Sequence, residues 1–182
     1  PITTNEWNPG WGQSTTLETV DIDGNATLKY DLLTFTGIVT DYDNPTDIST
    51  KTHVHFDYWT NSIDALALKL VNTVVNQEDM EALPSIAIGQ WVSVDIPLSD
   101  YDIADKTGIT QILFDAQGGN LTEAGTVYID NLYFYEELPT APTSAAPVPT
   151  EDAAKVISIF SDSYTNITTN EWNPGWGQAT VM

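Results

Sequence analysis

Residues 53 to 60 read HVHFDYWT. The period of two along a β-strand puts His53, His55, Asp57 and Trp59 on one face and Val54, Phe56 and Tyr58 on the other. The second set is core. The first is a row of hydrogen-bonding groups ending in an indole, the makeup expected of a sugar-binding groove, where rings stack on apolar sugar faces and polar groups read hydroxyls. Two other readings fit the same residues. His-x-His-x-Asp on one strand face offers two imidazoles and a carboxylate to a metal ion, although no further ligand is recognisable. An ordinary solvated sheet face has the same composition. Neighbouring runs agree in part with a polar face of small residues, since Ala65, Ala67 and Lys69 alternate with Leu66, Leu68 and Leu70, and Ser93 and Asp95 with Val92 and Val94.

A second candidate is the loop NEWNPGWGQ, which sets Trp7 and Trp11 four residues apart on a Pro9-Gly10 turn among Asn5, Glu6, Asn8 and Gln13. Exposed tryptophan is costly unless it binds something, so the loop reads as a glycan-stacking platform. The competing reading is that an indole caps the open end of a sandwich, and that is expected of at least one of the two. Trp91 reads as a packing residue. An enzyme is disfavoured: both histidines lie on one strand, and neither a Gly-x-Ser-x-Gly elbow nor a phosphate-cradling glycine loop is present. Paired carboxylates for glycoside hydrolysis are defined by a separation in space that an acidic sequence does not reveal.

The elements that must position these residues are strands. Val, Ile, Thr and aromatic residues fall in short alternating runs between Gly, Asn, Asp and Pro turns. The runs expected to be strands are Ser14 to Val20, Ala26 to Tyr30, Leu33 to Thr40, His53 to Thr60, Ala65 to Asn72, Gln90 to Pro97, Ile109 to Asp115, Thr126 to Tyr135 and Val156 to Ser161. QEDMEAL, before Pro84, is expected to be a loop excursion. Many short strands at this spacing predict an all-β, antiparallel β-sandwich. The 182 residues suit one domain. A net charge of −21 argues against nucleic acid or anionic membrane as partners and leaves a cation or a neutral ligand. The absence of cysteine excludes disulfides and thiolate chemistry, and no apolar run reaches the ~20 residues of a membrane span.

The run ITTNEWNPGWGQ occurs at residues 2 to 13 and again, letter for letter, at 167 to 178. Between them, residues 139 to 155, PTAPTSAAPVPTEDAAK, have the composition of an extended spacer. The expected organisation is a module at 1–138 lacking its first strand, a linker at 139–155, and the first strand and Trp loop of the next repeat at 156–182. A sheet missing a strand has an unpaired edge, so residues 156–182 of one copy are expected to complete the body of another by strand donation.

Three stretches, NATLKYDLLTFTGI, GQWVSVDIPLSDY and ITQILFDAQGGNLTEAGTVYIDNLYFYEE, resemble the galactose-binding-like jelly rolls used as carbohydrate-binding modules, over about Asn25 to Glu137. The resemblance implies a jelly roll of the kind appended to secreted bacterial polysaccharide-degrading enzymes. It also implies a structural calcium ion, with Asp162 of FSDSY and Asp130 of VYIDN at the matching positions; calcium takes roughly six to eight oxygens, so backbone carbonyls would have to join them. Asp130 bonding only locally is the alternative.

The expected function is a non-catalytic carbohydrate-binding module of a multi-modular secreted or cell-surface protein, acting through His53, His55, Asp57, Trp59 and the Trp7 and Trp11 loop. The alternative is a structural or adhesive repeat that assembles head to tail into filaments. Expected partners are a glycan and neighbouring copies of the repeat, with no nucleic acid and no membrane insertion.

Overall fold

Every second residue of His53–Thr60 is buried, the rest half-buried, and this alternation repeats around a two-layer sandwich. The computed structural model describes residues 6–117, 125–172, 174, 176 and 177. It divides into two units, Pro1–Leu138 and Pro139–Met182.

Among the described residues of the first unit ten strands form two antiparallel sheets. The strands are β1 Glu6–Trp7, β2 Thr16–Ile22, β3 Asn25–Leu33, β4 Phe35–Val39, β5 His53–Thr60, β6 Ala67–Asn72, β7 Gln77–Ala82, β8 Val92–Pro97, β9 Gln111–Asp115 and β10 Gly125–Tyr135. One sheet runs β1-β4-β9-β6-β7 and the other β2-β3-β10-β5-β8. Side chains from the two inner faces meet between them. Tyr30, Val54, Phe56, Tyr58, Val127 and Ile129 face Ile38, Leu68, Leu70, Ile112 and Phe114 across a common core. Phe56 meets Phe114 edge to face at 5.2 Å, and burying such a ring stabilises the fold by roughly 1.5–3 kcal/mol.

Two expectations about elements change. QEDMEA is a strand, β7, at a sheet edge. Its residues favour helix, but Leu68 and Leu70 of β6 offer a partner ladder, and the acidic side chains suit an edge that must not recruit another strand. In the second unit residues 156–161 form no strand. Ser158 makes a lone parallel bridge to Asn166, and a short 3-10 turn, Ala153–Lys155, precedes it. No helix among the described residues is long and apolar enough to cross a membrane.

Candidate functional site

The outer face of the β2-β3-β10-β5-β8 sheet collects the polar row expected on β5 and adds to it. The register sets Trp59 against Tyr128, Asp57 against Asp130 and Ser93, His55 against Tyr133 and Asp95, and His53 against Tyr135 and Pro97. Rings fill these rows. His55 stacks on Tyr133 with centroids 4.6 Å apart, and His53 on Tyr135 at 5.2 Å. Trp59 meets Tyr128 edge-on at 5.5 Å, and Tyr133 meets Tyr135 at 6.0 Å.

A bulge makes this possible. The β10–β5 register shifts between Asp130 and Tyr133, and Asn131 takes a left-handed backbone, φ 49, which asparagine tolerates. Strict alternation from Val127 and Ile129, both buried, would send Tyr133 and Tyr135 into the core. With the bulge Leu132 and Phe134 pack against the core instead, and Tyr133 is 47% exposed.

Carboxylates tie the rings together. His55 Nδ1 lies 2.8 Å from Asp95 Oδ1, and the Tyr135 hydroxyl donates to the same oxygen at 3.0 Å. The Asn131 amide donates to Asp57 Oδ2 at 2.7 Å. Asp57 Oδ1 is buried and makes no well-formed hydrogen bond, with His55 Nε2 3.5 Å away. Burial pushes the Asp57 carboxyl up, but hydrogen bonds from Ser93 and Asn131 and the nearby His55 together outweigh it, so it sits below the ordinary carboxylate range. Asp95 is likewise held low: burial opposes, and His55 and Tyr135 prevail. The Tyr135 phenol is raised by burial and by its bond to Asp95. Both carboxylates are therefore acceptors at neutral pH, beside stacked rings, which is an arrangement for receiving hydroxyls.

A cavity of about 190 Å³ continues the face toward β3, lined by Ile22, Asn25, Thr27, Asp57, Trp91 and Asn131, with Asp130. Trp91, expected to pack, is 45% exposed here. Sequence reading also missed Tyr128, Tyr133, Tyr135 and Asn131, and set Asp95 on the polar face without naming it as a site residue. The spaced tyrosines of VYIDNLYFY were the available signal, obscured by the bulge.

Asp130 does not fit the calcium that the resemblance implied. Its Oδ2 accepts from the Asn25 amide and lies 3.5 Å from the Thr27 hydroxyl, and its Oδ1 accepts from the Asn131 backbone N–H at 2.7 Å. Donors aimed at both oxygens are wrong partners for a cation. Asp162 belongs to the second unit and is exposed. Among the described residues no group of three or more His, Asp or Glu side chains could hold a metal, and that covers His53, His55 and Asp57 as well.

Trp7 and Trp11 stand on the other sheet. Asn8, φ 52, donates its backbone N–H to Gly37 of β4 and its amide to Thr15, and accepts from the Thr36 hydroxyl. The Trp11 indole then lies over Gly37, where a Cβ would come 2.3 Å from Cζ3. So Trp11 covers backbone, while Trp7, 46% exposed, stands by a groove. Neither joins the β5 row. In the second copy the Trp176 N–H donates to Pro174 at 2.8 Å, as the Trp11 N–H does to Pro9 at 2.9 Å, yet Trp176 is 87% exposed.

Two five-stranded antiparallel sheets around one core, with this connectivity, define a jelly-roll β-sandwich. Solved structures share it. A family 11 carbohydrate-binding module from Clostridium thermocellum, in complex with a β-1,3-1,4-mixed-linked tetrasaccharide, is similar at 17% identity and a TM-score of 0.52, over 71% of this chain and 86% of that one. The family 11 module of a cellulosomal cellulase from the same organism is similar at 15% identity, again with a TM-score of 0.52 over 71% and 86%. A family 29 carbohydrate-binding module is similar at 13% identity and a TM-score of 0.48, over 72% and 86%. No family model and no curated protein sequence matches the chain. The likeness to the two family 11 modules is one of fold, the jelly roll.

Proposed function

We propose that the first unit binds a neutral polysaccharide on the outer face of the β2-β3-β10-β5-β8 sheet, without acting on it chemically, as one module of a multi-modular secreted or cell-surface protein. The observation that carries this reading is the row of rings and carboxylates across three adjacent strands: Tyr133 and Tyr135 on β10, His53, His55 and Trp59 on β5, and Asp95 on β8. Rings take the apolar faces of sugars, while Asp57, Asp95 and Asn131 take hydroxyls. A net charge of −21 repels acidic polysaccharides. The β-1,3-1,4-mixed-linked tetrasaccharide bound by one similar module makes β-1,3-1,4-linked oligosaccharides the first ligands to test.

A glycan array probed with the whole chain tests the proposal. Binding to neutral glycans that disappears in Trp59→Ala supports it, and silence across every neutral glycan refutes it. The repeated loop favours a second role for the same module, joining its neighbours.

A further inference from the structure

Strand β10 is paired on both sides only from Val127 to Ile129. Its ladder with β3 ends at Ile129, whereas its ladder with β5 continues to Tyr135. The Gly89 N–H donates to the Thr60 carbonyl and the Leu98 N–H to the Thr52 carbonyl, so within β5 even-numbered residues turn their backbone groups to β8 and odd-numbered ones to β10; just before the strand the Thr52 N–H turns to Tyr135. Tyr133 and Tyr135, opposite His55 and His53, therefore spend theirs on β5. The backbone groups of Leu132 and Phe134 point the other way, where no strand among the described residues pairs with them. On that side lies a groove of about 760 Å³, whose apolar lining includes Trp7, Ile38, Ile48, Ile112, Leu132 and Phe134. Ile38, Ile48 and Ile112 belong to the core itself, so the groove reaches the core of the sandwich, with the backbone groups of Leu132 and Phe134 along one wall.

The sequence holds a segment of matching chemistry. VISIF, 156 to 160, carries no charge, and period two puts Ile157 and Ile159 on one face. In the second unit they are 82% and 51% exposed, and Phe160 is 77% exposed, a cluster of solvated apolar side chains that ordinarily marks an interface. Position is informative too. Trp7 stands at the mouth of the groove, and its counterpart in the repeat is Trp172, which residues 156–166 lead into. The segment that precedes the loop is thus the one the repeat delivers to the groove.

We propose that residues 156–160 of a second copy of the chain enter this groove as an added strand beside Leu132 to Tyr135, with Ile157 and Ile159 turned to Ile38 and Ile112. The spacer that carries the segment holds Pro139, Pro142, Pro147 and Pro149. Its extended, semi-rigid character opposes doubling back and favours delivery to a neighbour. Each copy has one groove and one segment, so the contact is heterologous and propagates head to tail. The groove borders the proposed glycan-binding face, since Tyr133 lines it, while His53, His55, Trp59 and Asp95 lie outside its lining.

Sedimentation of the 182-residue chain from micromolar to millimolar concentration, with hydrogen exchange at Leu132 and Phe134, tests this. The expected result is concentration-dependent head-to-tail oligomers with slowed exchange at both amides. Ile157→Asp combined with Ile159→Asp weakens association by at least about tenfold and leaves the melting temperature of the first unit unchanged. That variant, its groove intact, binds a peptide of sequence KVISIFS and not one with aspartate at both isoleucines. A monomer at all concentrations overturns the proposal, whether the two amides exchange fast or are protected by the chain's own tail. Oligomers indifferent to the double substitution overturn it equally.

Discussion

The imidazole of His55 stacks on the phenol ring of Tyr133, with centroids 4.6 Å apart and planes 17° apart. Because Tyr133 is also 47% exposed, its free face is a platform at the centre of the row. Tyr133→Ala is expected to weaken neutral-glycan binding about tenfold, roughly 1.4 kcal/mol, with little change in melting temperature. Calorimetric titration beside a thermal melt checks both.

Asp57 and Asp95 carry lowered pKa values in the fold. A carboxyl lowered on folding stabilises the protein above its unfolded value of about 4 and loses that contribution as pH falls through the folded value. Melting temperature should therefore be flat from neutral pH down to about 4 and fall below it. Asp57→Asn should flatten the acid limb, as a series of melts between neutral and acid pH will show.

The sequence revealed β5 completely because eight residues alternate without interruption between wall and core. It revealed the sandwich as well, since turn residues punctuate strands whose patterns are local. It hid Tyr133 and Tyr135 because the bulge at Asn131 resets the alternation of β10, and a φ of 49 at a single residue is imposed by pairing with β5 rather than by composition. Strand β7 was hidden likewise, because tertiary pairing with β6 overrode residues that favour helix. Trp7 and Trp11 looked like one platform, but the loop's fate depended on Gly37, 26 residues away from Trp11 in the chain and unmarked by any motif.

Tyr30 is fully buried and its hydroxyl has no hydrogen-bond partner. Removing an unsatisfied buried hydroxyl while keeping the ring relieves a desolvation cost of about 1–3 kcal/mol. Tyr30→Phe is expected to be neutral to stabilising in urea unfolding; clear destabilisation would reveal a partner for the hydroxyl.

Gly37→Ala would place a methyl group 2.3 Å from Trp11 Cζ3. The ring is at the far end of a side chain that is 40% exposed, so it should swing away rather than force the strand apart, at a cost of about 1 kcal/mol. The Trp11 indole resonance should move toward its solvent-exposed position, while glycan binding on the other sheet stays unchanged.

Calcium should leave the first unit unaffected, since both oxygens of Asp130 already accept hydrogen bonds. Melting curves with excess calcium and with chelator are expected to superimpose. A calcium-dependent rise would mean that the Asn25, Thr27 and Asn131 donors give way to the ion.

The central claim is that neutral glycan binds the outer face of the β2-β3-β10-β5-β8 sheet. Nuclear magnetic resonance titration of the labelled chain with a β-1,3-1,4-linked oligosaccharide, extended to other neutral glycans from the array, tests it most directly. Saturable shifts gathered at His53, His55, Asp57, Trp59, Tyr133, Tyr135 and Asp95 are predicted. Shifts gathered instead at Trp7, Ile38 and Phe134 around the groove, or none with any neutral glycan, would contradict it.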